Sequence, residues 1–161
     1  MSLKKSGVKS MNNGFILGNK ILDVVFISAF TAQIYKCLSP VFFKKRVDFT
    51  RLFSTGGMPS SHSSSTVSLC FSVGIVRGFS TLEFAIAFVF SLVTMYDATG
   101  IRQEAGKHAK ILNSIIEEKR FLYKEEIKQL KEFLGHTPLE VLAGAILGIV
   151  ISFLMKGYLL S

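Results

Sequence analysis

ILDVVFISAFTAQIYKCLSPVFF, running from Ile21 to Phe43, is the stretch that decides the fold class. Its 23 residues are enough to cross a bilayer as a helix, which takes about 20 apolar residues. Asp23 and Lys36 stand near its two ends, from which polar side chains can reach the interface, although Asp23 has the alternative of facing the bundle interior. On its N-terminal side, Met1 to Lys20 is too polar to span and has no small-residue cleavage pattern, so a cleaved signal peptide is not expected. On its C-terminal side, Lys44 to Ser65 is a polar linker. Thr66 to Phe79 follows and reaches spanning length only if Ser60 to Ser65 already belong to the helix. Leu82 to Thr99 and Pro138 to Leu160 are two further apolar runs.

These runs predict an all-α integral membrane bundle of four transmembrane helices, at about 21–43, 60–79, 82–99 and 138–160, in a single domain 1–161 with no β-sheet. A hydrophobic share of 49% with mean hydropathy +0.43 agrees, being too apolar for an ordinary soluble chain of 161 residues. Between the third and fourth runs the character changes. Residues 101–135 are densely charged, with apolar positions Ala105, Ala109, Leu112 and Ile116 at helical spacing and a second stripe at Ile127, Leu130 and Leu134. Two amphipathic helices, on the membrane surface or capping the bundle, are expected there. Gly144/Gly148 and Gly74/Gly78, each pair four apart, would permit close helix approach. Cys37 and Cys70 lie in apolar runs and read as small buried hydrophobes.

The formal charge is +8, but no nucleic-acid-reading motif is present and the basic residues lie largely between apolar runs. Anionic lipid head groups are the nearer partner. Four spans place the linkers Lys44–Ser65 and 101–137 on one side, which with Lys36 near the end of the first span holds thirteen of the nineteen Lys and Arg, and the positive-inside rule makes that side cytoplasmic.

On that side lies Gly56-Gly57-Met58-Pro59-Ser60-Ser61-His62-Ser63-Ser64-Ser65. A Gly-rich turn feeding a helix N-terminus offers unpaired N–H groups and the positive end of the helix dipole, both suited to an anion. A serine-capped helix start is the plainer reading, and it needs one serine and no histidine. Around this turn gather Lys44, Arg51, Ser60, Ser61, His62, Asp97, Arg102, His136 and Glu140, where two histidines could divide the roles of nucleophile and proton donor. His62, His108 and His136 have no paired-ligand spacing, and no metal or other cofactor is called for. Thr137, Pro138 and Glu140 also spell a capping box, which accounts for those three but not for His136.

Pro59-Ser60-Ser61-His62 resembles the P-S-G-H signature of the type 2 phosphatidic acid phosphatase and vanadium haloperoxidase superfamily. His136-x-x-x-Glu140 resembles its H-x-x-x-D/E signature and Lys44-x6-Arg51 its K-x6-R-P start, all in the family order. GGMPSSHS, MYDATGIR and LGHTPLEVLAG are similar to the small divergent bacterial branch, over the chain from about Ile21 onward. The resemblance implies a metal-independent lipid-phosphate phosphomonoesterase, related to acid phosphatases and haloperoxidases, in a bacterial inner or plasma membrane. It makes His136 the nucleophile, Glu140 the group that orients it and His62 the proton donor. Lys44, Arg51, Ser60, Ser61 and Arg102 would hold phosphate, with Gly57 and Asp97 in support. The chain departs from the pattern at Leu52 (family proline), Ser61 (glycine) and Leu130 (arginine); Arg102 or Lys131 could supply the missing charge, and a homodimer could complete a four-helix site. A non-catalytic phospholipid-binding or lipid-transport protein is the alternative that these departures allow.

Overall fold

The computed structural model describes residues 12–44, 57–123, 129–130 and 135–161. In chain order they form a ribbon of β1 (Asn12–Gly14) and β2 (Gly18–Asn19), then α1 (Lys20–Lys44), α2 (Ser61–Arg77), α3 (Leu82–Thr99), α4 (Ile101–Tyr123), α5 (Pro138–Leu154) and α6 (Lys156–Leu160). The helix bounds follow the apolar runs closely. Lys20–Ser39 and Leu82–Glu117 contain helix long and apolar enough to cross a membrane, and Pro138–Leu154 is apolar but shorter.

The ribbon corrects the expectation of no β-structure. Leu17 (φ 51°) and Gly18 (φ 71°) reverse the chain through the left-handed region, and β1 pairs antiparallel with β2. Asp23, in the first turn of α1, accepts hydrogen bonds from Phe15 N (2.8 Å), Ile16 N (2.7 Å) and the Tyr158 hydroxyl of α6. A segment too polar to span is thus tied to both α1 and α6 by one buried carboxylate. Ile21, Val24, Ile151 and Leu159 form a buried apolar cluster at the same end of the bundle.

α2 is the central helix, packed on α1, α3 and α5. Serines recur on it every fourth residue, and Ser60, Ser64, Ser68 and Ser72 are all fully buried. Against them run Gly144, Gly148 and Ser152 of α5, also four apart. A Cβ on Gly144 would stand 2.3 Å from Ser60 O, and one on Gly148 would stand 2.5 Å from Ser64 O. Ser152 Oγ donates to Ser68 O at 3.1 Å, while Ser28 Oγ of α1 contacts Ser64 Oγ at 2.6 Å. Small residues at one helical phase let the backbones touch, and hydroxyls satisfy one another where no water can. The Gly144/Gly148 expectation holds, whereas Gly74 meets the Phe79 ring and Gly78 caps α2, so that pair joins no two helices.

α3 buries only Ala87, Ser91 and Ala98 and turns Leu82, Ile86, Val89, Phe90 and Val93 outward. Small residues inside and large apolar ones outside invert the pattern of a soluble protein. α4 is one helix. Among its residues of described burial, Gly106, Ala109 and Asn113 are buried while Ala105 and Leu112 are exposed, so the expected stripe is rotated by about one position. Leu130 is not helical; its N–H donates to Asn113 Oδ1 and its carbonyl accepts from Asn113 Nδ2, both at 2.8 Å. Ile127 and Leu134 lie outside the described residues. Cys37 and Cys70 are buried and free.

Candidate active site

Two backbone hydrogen bonds build the site. Ser60 N donates to Glu140 O at 2.9 Å, joining the start of α2 to the first turn of α5. His136 N donates to Ala98 O at 2.9 Å, returning the chain to the end of α3. Gly135 (φ 89°) permits that return, because a Cβ there would lie 2.6 Å from Gln103 N. The N-termini of α2 and α5 therefore open on one place, with two helix dipoles aimed at it.

His62 and His136, 74 positions apart in sequence, come to a ring-centroid separation of 6.2 Å. His136 is 3% exposed, and its Nδ1 lies 3.2 Å from Glu140 Oε2. The same oxygen accepts from Thr137 N at 3.0 Å, and Thr137 Oγ1 accepts from Glu140 N at 3.3 Å. The capping box and the histidine's partner are thus one carboxylate, and both readings of Glu140 meet in a single atom. A carboxylate only accepts, so the Nδ1 proton lies on that bond and the neutral ring keeps its lone pair at Nε2. Nε2 is buried and has no hydrogen-bond partner among the described residues. Burial holds the pKa of His136 below the ordinary histidine value; the Glu140 hydrogen bond opposes this, and the Lys36 charge adds to the lowering.

Ser60 caps α2 while fully buried, its Oγ accepting from Ser63 N (3.3 Å) and Ser63 Oγ (3.0 Å). Ser61 and His62, the first two helical residues, have N–H groups with no carbonyl a turn back in α2. Arg102 Nε donates to Asp97 Oδ2 at 2.6 Å, and both charges act on His62. Gly57 (φ 98°) lies beside Lys36, whose Cδ would be 3.9 Å from a Cβ at that position. Lys44 ends α1, but its side chain, Arg51 and Lys131 lie outside the described residues.

Lys36 is the residue that the sequence reading placed elsewhere. Expected to reach toward the interface, it is 1% exposed, and its charge acts on both His62 and His136. The signal was present in the helical phase. Val24, Ser28, Ala32 and Lys36 are spaced by four along α1, and the first three are completely buried. Asp23 is likewise buried, at 4% exposed, in the interior position that stood as its alternative.

Beside His62 a hollow of about 330 Å³ is lined by Phe26, Ala29, Phe30 and Gln33 of α1 and by Ser61, His62 and Ser65 of α2. Among the described residues no three His, Cys, Asp or Glu side chains gather as a metal set.

A helical membrane protein with a histidine-carboxylate pair facing a second histidine at paired helix starts is the class that fold and site define. The chain belongs to the divergent PAP2 family, whose profile matches residues 17–151. It is 36% identical over 135 residues to a Bacillus subtilis (strain 168) protein described as uncharacterized membrane protein YuiD, covering 77% of this chain and 85% of that one. No solved structure matches the chain.

Proposed function

We propose that the protein is a multi-pass membrane phosphatase that hydrolyses a lipid phosphomonoester through a histidine nucleophile. The observation that carries this reading is the locked His136, with Nδ1 on Glu140 and Nε2 open, 6.2 Å between ring centroids from His62. His136 Nε2 attacks phosphorus, the P–O bond to the lipid alkoxide breaks, and protonated His62 gives its proton to that oxygen. Water then attacks the phosphohistidine, neutral His62 takes a proton from it, and inorganic phosphate leaves with the His136 lone pair restored. The N–H groups of Ser61 and His62 and the Arg102 guanidinium face the equatorial oxygens, with Lys44 and Arg51 added by the family resemblance. The hollow beside His62 has the chemistry to take a hydrocarbon chain. In this reading α1, α2, α3 and α5 are the four spans and the site faces the cytoplasm, on the side rich in Lys and Arg.

One observation favours a lipid-phosphate-binding protein without turnover: Arg102 is already paired with Asp97 at 2.6 Å. Phosphate release by purified protein from a panel of lipid phosphates, with and without chelator and vanadate, separates the two. Chelator-resistant, vanadate-sensitive release that His136→Ala abolishes is expected. Binding without release in wild type would leave the non-catalytic reading.

A further inference from the structure

We propose that the ribbon is a membrane-facing wedge: the turn between β1 and β2 seats Phe15 and Leu17 among the lipid chains of the leaflet remote from the histidines, and in doing so screens the Asp23 carboxylate from them. The proposal rests on α1 crossing the membrane, for which Lys20–Ser39 is long and apolar enough.

Helical phase puts the ribbon on the lipid side of α1. Asp23, Phe26, Ile27, Phe30 and Ile34 recur at helical spacing and share one face of the helix. The four apolar members are exposed along that face, which in a spanning helix is the face turned to lipid, whereas Asp23 is buried. What covers the acid at that phase is the ribbon, whose Phe15 N and Ile16 N reach its two carboxylate oxygens at 2.8 and 2.7 Å, together with the Tyr158 hydroxyl. The turn is therefore fixed beside the first turn of α1, one helical turn from Phe26 and Ile27.

The residues of that turn do not suit water. Turns between strands ordinarily carry Gly, Asn, Asp or Pro, and the left-handed φ of Leu17 (51°) is a conformation that favours Gly or Asn. Phe15, Ile16 and Leu17 stand there instead. Phe15 is 93% exposed and Leu17 90%, so the protein that holds their backbone leaves both side chains uncovered. Asn19 N also donates to Ile16 O at 2.9 Å, so the turn is held by hydrogen bonds from both sides. Single exposed apolar residues are ordinary on a surface, but two on one braced turn, next to the exposed apolar face of α1, match hydrocarbon. Two side chains offer on the order of 300 Å², well below the roughly 800 Å² per partner of a standard protein interface. Lipid needs no such area. A carboxylate on a lipid-facing stripe is costly, and the ribbon meets that cost with N–H donors turned to the acid and apolar side chains left to the bilayer.

The chain contains no tryptophan, so a single introduced one reports only its own surroundings. Phe15→Trp and, separately, Leu17→Trp are made in the full chain and reconstituted in phosphatidylcholine vesicles with and without bromine on the acyl chains. Phe30→Trp, on the exposed face of α1, is the reference. Both ribbon tryptophans are expected to lose emission to the acyl bromines, more to those near the glycerol than to those near the methyl end. Quenching by aqueous iodide with none by lipid would put the turn in water and overturn the proposal. Shelter from both quenchers would put protein over the turn, and overturns it as well. Failure of both ribbon variants to fold would mean that the two side chains are packed within the protein, with the same consequence. If Phe30→Trp alone is quenched by lipid, the wedge is lost and the spanning reading of α1 stands. If none of the three is quenched by lipid, the spanning reading itself has failed, and the proposal with it.

Discussion

The two ends of the bundle bury ionisable groups in opposite ways. At the ribbon end, the Asp23 carboxylate is closed by two backbone N–H groups and a tyrosine hydroxyl, and Lys20 Nζ donates to Ser161 Oγ at 3.1 Å while lying over the Tyr158 ring. At the histidine end, Glu140 is used twice, yet among the described residues His136 Nε2 has no hydrogen-bond partner. A buried polar group with its partners in place serves the fold; one without them calls for another explanation, a reaction or a ligand among them. The bundle is built closed at one end and chemically unfinished at the other.

The largest expected effect breaks the open end. His136→Ala should lower lipid-phosphate turnover by more than about 10³-fold, as removal of a nucleophile does, with the α-helical circular dichroism signal unchanged. Turnover near the wild-type rate would mean that the open lone pair has no chemical role. His62→Ala should come next. A loss of about 10²-fold to 10³-fold is expected on a lipid alkoxide, with much less on an activated aryl phosphate that departs without a proton, and a comparison of the two substrates in one assay checks it.

The third test leaves both ends intact and moves the seam between them. Gly148→Val puts side-chain atoms where Ser64 O already stands, and overpacking of this kind costs about 1–3 kcal/mol. Its Tm should fall, and turnover should fall with it, because the same seam carries the backbone bond from Ser60 to Glu140.

At the closed end, Tyr158→Phe removes one of three partners from Asp23 and should lower Tm by a few degrees with kcat untouched. Equal damage to kcat would deny the separation of the two ends. The smallest expected effect is on pH. The pKa of His136 is lowered by burial, so its neutral form contributes stability that is complete above about pH 6.5, the ordinary value, and is lost as pH falls from there through the depressed folded value. Between pH 7 and 5 the Tm of wild type should therefore drop more than that of His136→Gln, and the acid limb of the rate profile should lie below pH 6.5.

Much of the closed architecture could be read from the chain. The apolar runs located α1, α2, α3 and α5, because helix length and hydropathy are local properties. Thr137, Pro138 and Glu140 announced the start of α5, since a capping box is contained within four residues. The serines after Pro59 were harder. Read as the mouth of an anion site, Ser64 is instead a packing residue against Gly148, and the two roles differ only in which helix lies alongside. The ribbon depends on a carboxylate in the next element and a tyrosine in α6, which no local pattern reveals. Lys36 was misplaced because position within an apolar run suggests snorkelling, while helical phase, shared with Val24, Ser28 and Ala32, puts it inside. For α4 the apolar stripe was found but its face was not, because Gly106 and Asn113 outweigh Leu112 once the neighbouring chain closes on them.

The clamp at Asp23 also imposes an order in time. Phe15 and Ile16 precede Asp23 in the chain, so the N–H groups that hold its carboxylate already exist when the acid is made. Tyr158 is synthesised 135 residues later, about 7 to 27 seconds at roughly 5–20 residues per second. A ribbon that forms in that interval would supply the carboxylate with two of its three donors before α6 exists. The tyrosine of α6 would then add only the last of them.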